Sequence, residues 1–327
     1  MNLARIEGKT VDVTPLFEKA GIPTDSVVIV ETEGMYPYKE KVEDNWAYYT
    51  AVGMKELKRR CDEEGKIIQD IGIVGICSGV EGIAVAKIFR PKRLVVTDVD
   101  AGILQGTMVN LRRTTHRQAT EMIPLVGSFC EPMEDAGYTV DFVHANIPNL
   151  PATGEEDLSK GAEKGTFLPA MLYEKYNPPQ KYVAWALGAQ FAYLRSARQV
   201  VRSGGSVITE LGGRVPFSII RQLFSDVGLE FSEVIVGFKE QTEALIDFLG
   251  YSRFEREFGV SFDFYLYNES QELLRQKGVR NPSPDVAGEE LKEMLERYRV
   301  SAGEALELHD KGIPVGHTVH VFRGITY

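Results

Sequence analysis

The clearest pattern of apolar and polar positions lies at residues 70–82. Ile71, Ile73, Val74 and Ile76 form the short apolar run that a strand buried on both faces requires. Gly75, Gly79 and Gly82 then punctuate a turn, and small and apolar residues over 83–88 suit a following helix. Strand, glycine turn and helix make up the mononucleotide-binding half of a doubly wound α/β sheet. The pattern continues with a strand at 93–100, a helix at 101–113, and strands at 121–126 and 140–145. It then predicts a long amphipathic helix at 182–201, a strand at 204–211 and a helix from Pro216 to Asp226. Two more strands follow at 230–236 and 262–267, with a mostly helical stretch at 238–258 between them. Residues 285–309 read as one charged amphipathic helix, and 317–323 alternate like an edge strand or hairpin arm. No internal repeat is present.

Ahead of the glycine turn, residues 11–20 suit a short helix closed by Gly21 and Pro23, and 27–31 a short strand. An aromatic patch of Tyr36, Tyr38, Trp46, Tyr48 and Tyr49 comes next, and Asp44 or Asn45 is placed to cap a helix running to about Glu64. The organisation expected is therefore a helical, aromatic cap or lid over 1–69 and a nucleotide-binding catalytic region over 70–327, extended by a C-terminal helix and hairpin.

Composition narrows the chemistry. The chain has 327 residues, 43% of them hydrophobic, which is enough for one large core. A net charge of −10 argues against a nucleic-acid partner, which calls for a basic face. Three cysteines, Cys61, Cys77 and Cys130, are too widely spaced for a zinc pattern or a disulfide framework, so no metal is expected. Without a membrane-spanning apolar stretch or a signal-peptide core, a cytoplasmic setting and a small-molecule substrate are the expectation, with homo-oligomer formation left open.

The candidate site follows from the open-sheet rule that ligands bind beyond the carboxyl ends of parallel strands. Gly75, Cys77, Ser78 and Gly79 form the first turn. Asp98, about twenty residues further on, stands where a carboxylate accepts hydrogen bonds from ribose hydroxyls. Val99 follows it, and Asp100 is placed to cap the next helix. Ser128 and Phe129 end the third strand, where an adenine ring can stack. The fourth strand ends in Asn146-Ile147-Pro148-Asn149-Leu150-Pro151, which brings a polar amide to the same edge. His144, inside that strand, reads as a satisfied core histidine. The stretch 151–180 is insertion-like and carries Tyr173 and Tyr176 just before Asn177-Pro178-Pro179.

In this order, the glycine turn, Asp98 and the Asn-x-Pro element resemble the class I S-adenosylmethionine-dependent methyltransferases over roughly residues 45–267. Cys77 stands where that family has the middle glycine of its turn. A closer resemblance is to the catalytic domain of the methionine S-methyltransferases. It rests on Glu43-Asp44-Asn45-Trp46 with Tyr48-Tyr49, on Asn146-Ile147-Pro148-Asn149-Leu150, on Tyr182 to Gly188 with Gln190, on Gly212-Gly213-Arg214, and on Ser301-Ala302-Gly303. The resemblance implies a Rossmann-like, doubly wound, seven-stranded sheet. It implies S-adenosylmethionine as cofactor and methyl transfer to a small amino-acid-like acceptor, such as the sulfur of methionine, leaving S-adenosylhomocysteine.

The azetidine-2-carboxylate synthases, which look like such a domain on its own, imply an alternative. There the cofactor's own α-amine attacks its Cγ and methylthioadenosine leaves. An NAD-dependent dehydrogenase is more remote, because the Gly-x-Gly-x-x-Gly spacing is broken by Cys77. A thioether nucleophile has no proton to lose, so no general base is needed. The residues expected at the chemistry are Asn146, to orient a nucleophile, and Tyr176 and Tyr182. These two tyrosines, with Tyr36, Tyr38, Trp46 and Tyr49, offer aromatic faces to a sulfonium; Tyr173 is counted with the aromatic lid.

Overall fold

The computed structural model describes residues 7–115, 119–151, 167–242 and 248–327. Parts of two sequence expectations, at 152–166 and 243–247, lie outside the described residues. Among the described residues, the parallel strands β3 (Asp70–Val74), β4 (Arg93–Asp98), β5 (Glu121–Val126), β6 (Val140–Ala145) and β7 (Val201–Gly212) lie side by side in the order β5-β4-β3-β6-β7. Beyond β7 runs β11 (Val315–Ile325), antiparallel to it, and then β8 (Glu230–Glu240), antiparallel to β11. These seven strands are the Rossmann-like doubly wound sheet expected from the sequence. The short strands β9 (Phe264–Leu266) and β10 (Arg299–Val300) extend it past the start of β11.

Period-two alternation fills both faces. Ile71 and Ile73 of β3, with Leu94 and Val96 of β4, point into one buried layer. That layer contains α1 (Thr14–Lys19), α2 (Trp46–Glu63), α3 (Val80–Phe89) and α4 (Ala101–Thr115). Val74, Val95, Val143 and Val207 point into the opposite layer, under α5 (Glu131–Asp135) and the helices Gly188–Val200 and Phe217–Asp226. A parallel sheet has to be covered on both faces in this way.

Four local expectations change. The first turn of the predicted 11–20 helix is a strand, β1 (Lys9–Asp12), paired antiparallel with β2 (Val28–Glu31), and the helix starts only at Thr14, whose N–H is taken by Asp12 Oδ1 at 2.9 Å. The predicted helix over 182–201 is two pieces, Gln180–Val183 and Gly188–Val200, parted where Ala186 takes a left-handed φ of 55°. The predicted helix over 285–309 is broken by β10, because pairing Arg299 and Val300 with β9 extends the backbone. Ser301 then starts a new helix, Ala302–Asp310, with a capping box in which the Glu304 carboxylate accepts the Ser301 N–H at 2.8 Å.

The fourth change is β11, which alternates like an edge strand yet lies between β7 and β8. Its polar side chains, themselves buried, meet side-chain partners instead of water. Arg323 donates to Ser206 Oγ at 2.9 Å and to Glu64 at 2.9 Å, and His320 Nδ1 lies 2.6 Å from Glu233. No described helix is long and apolar enough to cross a membrane.

The cap on Ala302–Asp310 gives a stability test. Ser301→Ala removes the hydroxyl that accepts the Glu304 N–H, leaving the backbone half of the capping box, and is expected to lower stability by about 1 kcal/mol. The urea midpoint should fall with the slope of the transition unchanged.

Candidate functional site

The carboxyl ends of β3, β4, β6 and β7 open into one cavity of about 470 Å³. That is within the range of small-molecule sites. Its floor begins where β3 runs into α3. Gly75, Cys77 and Gly79 all adopt left-handed backbone, with φ of 64°, 48° and 87°. Such a conformation is cheap for glycine and strained for cysteine. Cys77 is held in it from three sides. Its N–H donates to Asp98 Oδ2 at 3.2 Å, its carbonyl accepts the Thr107 hydroxyl, and its sulfur accepts the Tyr36 N–H at 3.2 Å. Cys77 therefore keeps the turn geometry that a glycine would supply at that place.

Gly79 is the left-handed N-cap of α3 and does not line the cavity. A Cβ on Gly82 would lie 2.8 Å from Ile76 Cδ1 and 3.1 Å from Leu111 Cδ2, so this glycine serves the packing of α3 rather than a ligand.

Asp98 ends β4 and is 7% exposed. Its second oxygen accepts the Asp100 N–H at 3.0 Å. Burial raises its pKa above the ordinary value, against the pull of these hydrogen bonds. Asp100 caps α4, accepting the N–H groups of Gly102 at 2.8 Å and Ile103 at 2.9 Å. Val99, Ser128, Phe129, Asn146 and Ile147 line the same cavity, as do Gly75, Cys77 and Ser78.

Tyr36, Tyr38 and Trp46 form its outer wall. Asn110 on α4 docks the chain leading to them: its side chain accepts the Val30 N–H at 2.8 Å, and donates to the Val30 carbonyl at 2.9 Å and to Ser78 O at 3.0 Å. Glu31 accepts the Tyr38 N–H at 2.6 Å. Trp46 already has cations and a ring against it. It stacks on His317 at 5.6 Å, and Lys239 Nζ lies 5.2 Å from its centre.

Four predicted aromatic residues are not in the lining. Tyr182 is fully buried; its hydroxyl donates to Asp226 at 2.7 Å and its ring stacks on Phe191. Tyr176 gives its hydroxyl to Glu131 at 2.6 Å and meets Phe129 edge-on from behind. In both cases a carboxylate in the helical layer captures the phenol. Tyr173 packs against Gly188, where a Cβ would lie 2.9 Å from its ring. Tyr49 is fully buried beside Gly237, its hydroxyl directed at Phe238 O.

Two acids that the sequence reading passed over line the cavity instead, Glu81 and Glu210. Glu81, in the first turn of α3, faces the fourth strand. One oxygen lies 2.8 Å from His144 Nε2, and the other accepts the Asn146 amide N–H at 3.2 Å. His144 is thus held on one ring nitrogen only, since Nδ1 has no partner. Asn146 keeps its amide oxygen and its second amide N–H to offer a ligand. Glu210, near the end of β7, is fully buried; Thr50 donates to one of its oxygens and the other, Oε1, has no partner. Its pKa is held well above the carboxylate range, first by burial and then by the charge of Glu81. The available signal was a lone acid in the apolar run Val-Ile-Thr-Glu-Leu just before Gly212-Gly213. Among the described residues, no group of three or more His, Cys, Asp or Glu is arranged to hold a metal.

No family model matches the sequence, and neither does any curated protein. Solved structures do resemble it. A candidate sarcosine dimethylglycine methyltransferase from Galdieria sulphuraria is 12% identical, with a TM-score of 0.42 over 90% of this chain and 93% of that one. A candidate methyltransferase from Bacillus halodurans C-125 is 11% identical, with a TM-score of 0.40 over 83% and 99%. Precorrin-6y C5,15-methyltransferase from Geobacter metallireducens GS-15 is 11% identical, with a TM-score of 0.38 over 64% and 83%. At such identities and scores the likeness carries no argument about activity.

Burial pushes the Cys77 thiol up to about 12, and the Cys130 thiol likewise. Because the thiolate is the reactive form, Cys77 should resist iodoacetamide in the folded protein at pH 8 although it borders the cavity. Mass spectrometry should find it labelled readily only after denaturation in urea.

Proposed function

We propose that the protein is an S-adenosylmethionine-dependent enzyme that transfers a methyl group to a small amino-acid-like acceptor, such as the sulfur of methionine. The observation that carries this reading is Asp98. Its nearly buried carboxyl ends β4 in the same cavity as the left-handed turn of Gly75 and Cys77, a pairing suited to a ribose and the chain attached to it. Ser128 and Phe129 offer a place for an adenine ring at the next strand, and Asn146 stands on the other side of the turn.

In the proposed reaction a lone pair on the acceptor sulfur forms a bond to the methyl carbon. The bond between that carbon and the cofactor sulfonium breaks, and its electrons stay on what becomes S-adenosylhomocysteine. No proton moves, so no base is required. The protein's contribution is alignment and exclusion of water. The aromatic face of Tyr38 suits a sulfonium, at about 0.5–2 kcal/mol per contact, whereas Lys39 Nζ already lies 5.7 Å from the Tyr36 ring centre. Trp46 is a poorer candidate, because Lys239 and His317 already lie against it.

Two measurements test the reading. Asp98→Ala should weaken S-adenosylhomocysteine binding by about tenfold or more, the scale of a lost charged hydrogen bond, and the thermal midpoint without ligand should fall as the Cys77 and Asp100 N–H groups lose their acceptor. An unchanged affinity removes Asp98 from the site, and a thermal shift with NAD but not with S-adenosylhomocysteine overturns the cofactor. Incubation with S-adenosylmethionine should give S-adenosylhomocysteine only when methionine is added. Methylthioadenosine formed without any acceptor would instead identify intramolecular cyclisation.

A further inference from the structure

The strand order sets a ruler across the cavity. From β4, which carries Asp98, to β7, which carries Glu210, there are three inter-strand steps, through β3 and β6. At about 4.8 Å each, they separate the two ends by roughly 14 Å. A nucleoside held at Asp98 therefore leaves the β7 end for another chemical group.

That end is acidic and incompletely satisfied. Glu210 is fully buried, lines the cavity and keeps Oε1 without a partner. Glu81, on the same wall, has both oxygens engaged, by His144 and Asn146, so Glu210 is the acid with an open valence. A buried carboxyl with an unmet acceptor costs stability unless something fills it. The group that does so with most gain is a donor carrying positive charge. A complementary donor lies in the same lining, where Asn149 Nδ2 is buried and has no partner. Asn149 is fixed by Tyr251, whose hydroxyl donates to its carbonyl at 2.9 Å. An open acceptor and an open donor in one wall suit the ammonium and carboxylate of an α-amino acid.

We infer that Glu210 Oε1 is the ammonium-binding group of the cavity and selects ligands that carry a free α-amino group. The inference rests on the proposed S-adenosylmethionine reading. It leaves two sources of that ammonium, the cofactor's own methionine part and a separate amino-acid acceptor. The charged groups that act on Glu210 are Glu81 on α3, which holds its proton on, and Lys239 on β8, which opposes this; Thr50 on α2 hydrogen-bonds it. Burial and the charge of Glu81 raise the Glu210 pKa and favour its protonated form. An arriving ammonium makes the charged form favourable, so docking releases a proton from Glu210 to solvent.

Glu210→Gln is the test, because glutamine has the shape of the neutral acid and cannot ionise. Calorimetric titrations of wild type and variant would use S-adenosylhomocysteine, methylthioadenosine, which has the nucleoside but no amino group, and L-methionine added to protein saturated with S-adenosylhomocysteine. The variant should bind methylthioadenosine as wild type does, which also certifies its fold. It should lose about tenfold or more in affinity for one of the amino-acid-bearing ligands. The proton release with that ligand, read as a dependence of the heat on buffer ionisation enthalpy, should vanish. A loss on S-adenosylhomocysteine assigns the ammonium to the cofactor, and a loss confined to methionine assigns it to the acceptor. Equal affinities for all three ligands, or an equal loss on methylthioadenosine, overturns the inference. Failure of the underlying reading looks different: wild type then binds neither adenosyl compound, and the subsite falls with it.

Discussion

The site depends on one carboxyl group holding one strained turn. Asp98 accepts the Cys77 N–H from the turn after β3 and the Asp100 N–H from the turn after β4. Two adjacent loops are thereby locked to a single buried side chain. Without that link, a cysteine at φ 48° has a strong reason to relax, since the left-handed region is costly for a residue with a Cβ. The same turn then anchors what lies around it. Thr107 of α4 bonds the Cys77 carbonyl, Asn110 bonds the Ser78 carbonyl, and Tyr36 donates to the Cys77 sulfur. The aromatic wall, α4 and the β3–α3 junction are therefore positioned by contacts a few residues wide.

The opposite end of the cavity follows a different logic. Around Trp46 the fold buries Arg214, Lys239 and His317, and next to them Glu210 with Glu81. Burial and the neighbouring cations keep His317 neutral, by lowering its pKa well below the usual histidine value. Burial raises the pKa of Glu210 and favours its neutral form. His317 and Glu210 thus favour their neutral forms where solvent cannot stabilise a charge. The result is a wall of hydrogen-bonding capacity held in reserve, which a charged ligand can draw on once it displaces water.

Much of this was legible along the chain. Apolar runs and glycines placed β3, α3, β4, β5 and β6, because a strand covered on both faces and the helix packed on it impose patterns that survive without context. Asp98 stands at the strand tip and Asp100 caps α4, the places read for them. The aromatic residues were harder. Tyrosine satisfies a core, a carboxylate or a ligand equally well, and for Tyr176 and Tyr182 the deciding partners, Glu131 and Asp226, are 45 and 44 residues away. The alternation of β11 was misleading for a similar reason, since Glu64, Ser206 and Glu233 take the place of water.

The sequence by itself determined the α/β alternation, the strained turn and the acid opposite it, because each depends on neighbours a few residues apart or on strict periodicity. Only the tertiary structure decided which polar side chains share the cavity. Glu81 and Glu210 come from α3 and β7, and they meet there because strand order, which no local pattern encodes, sets β6 beside β3 and β7 beside β6. Long-range pairing also determined that Tyr182 faces away and that one oxygen of Glu210 is left open.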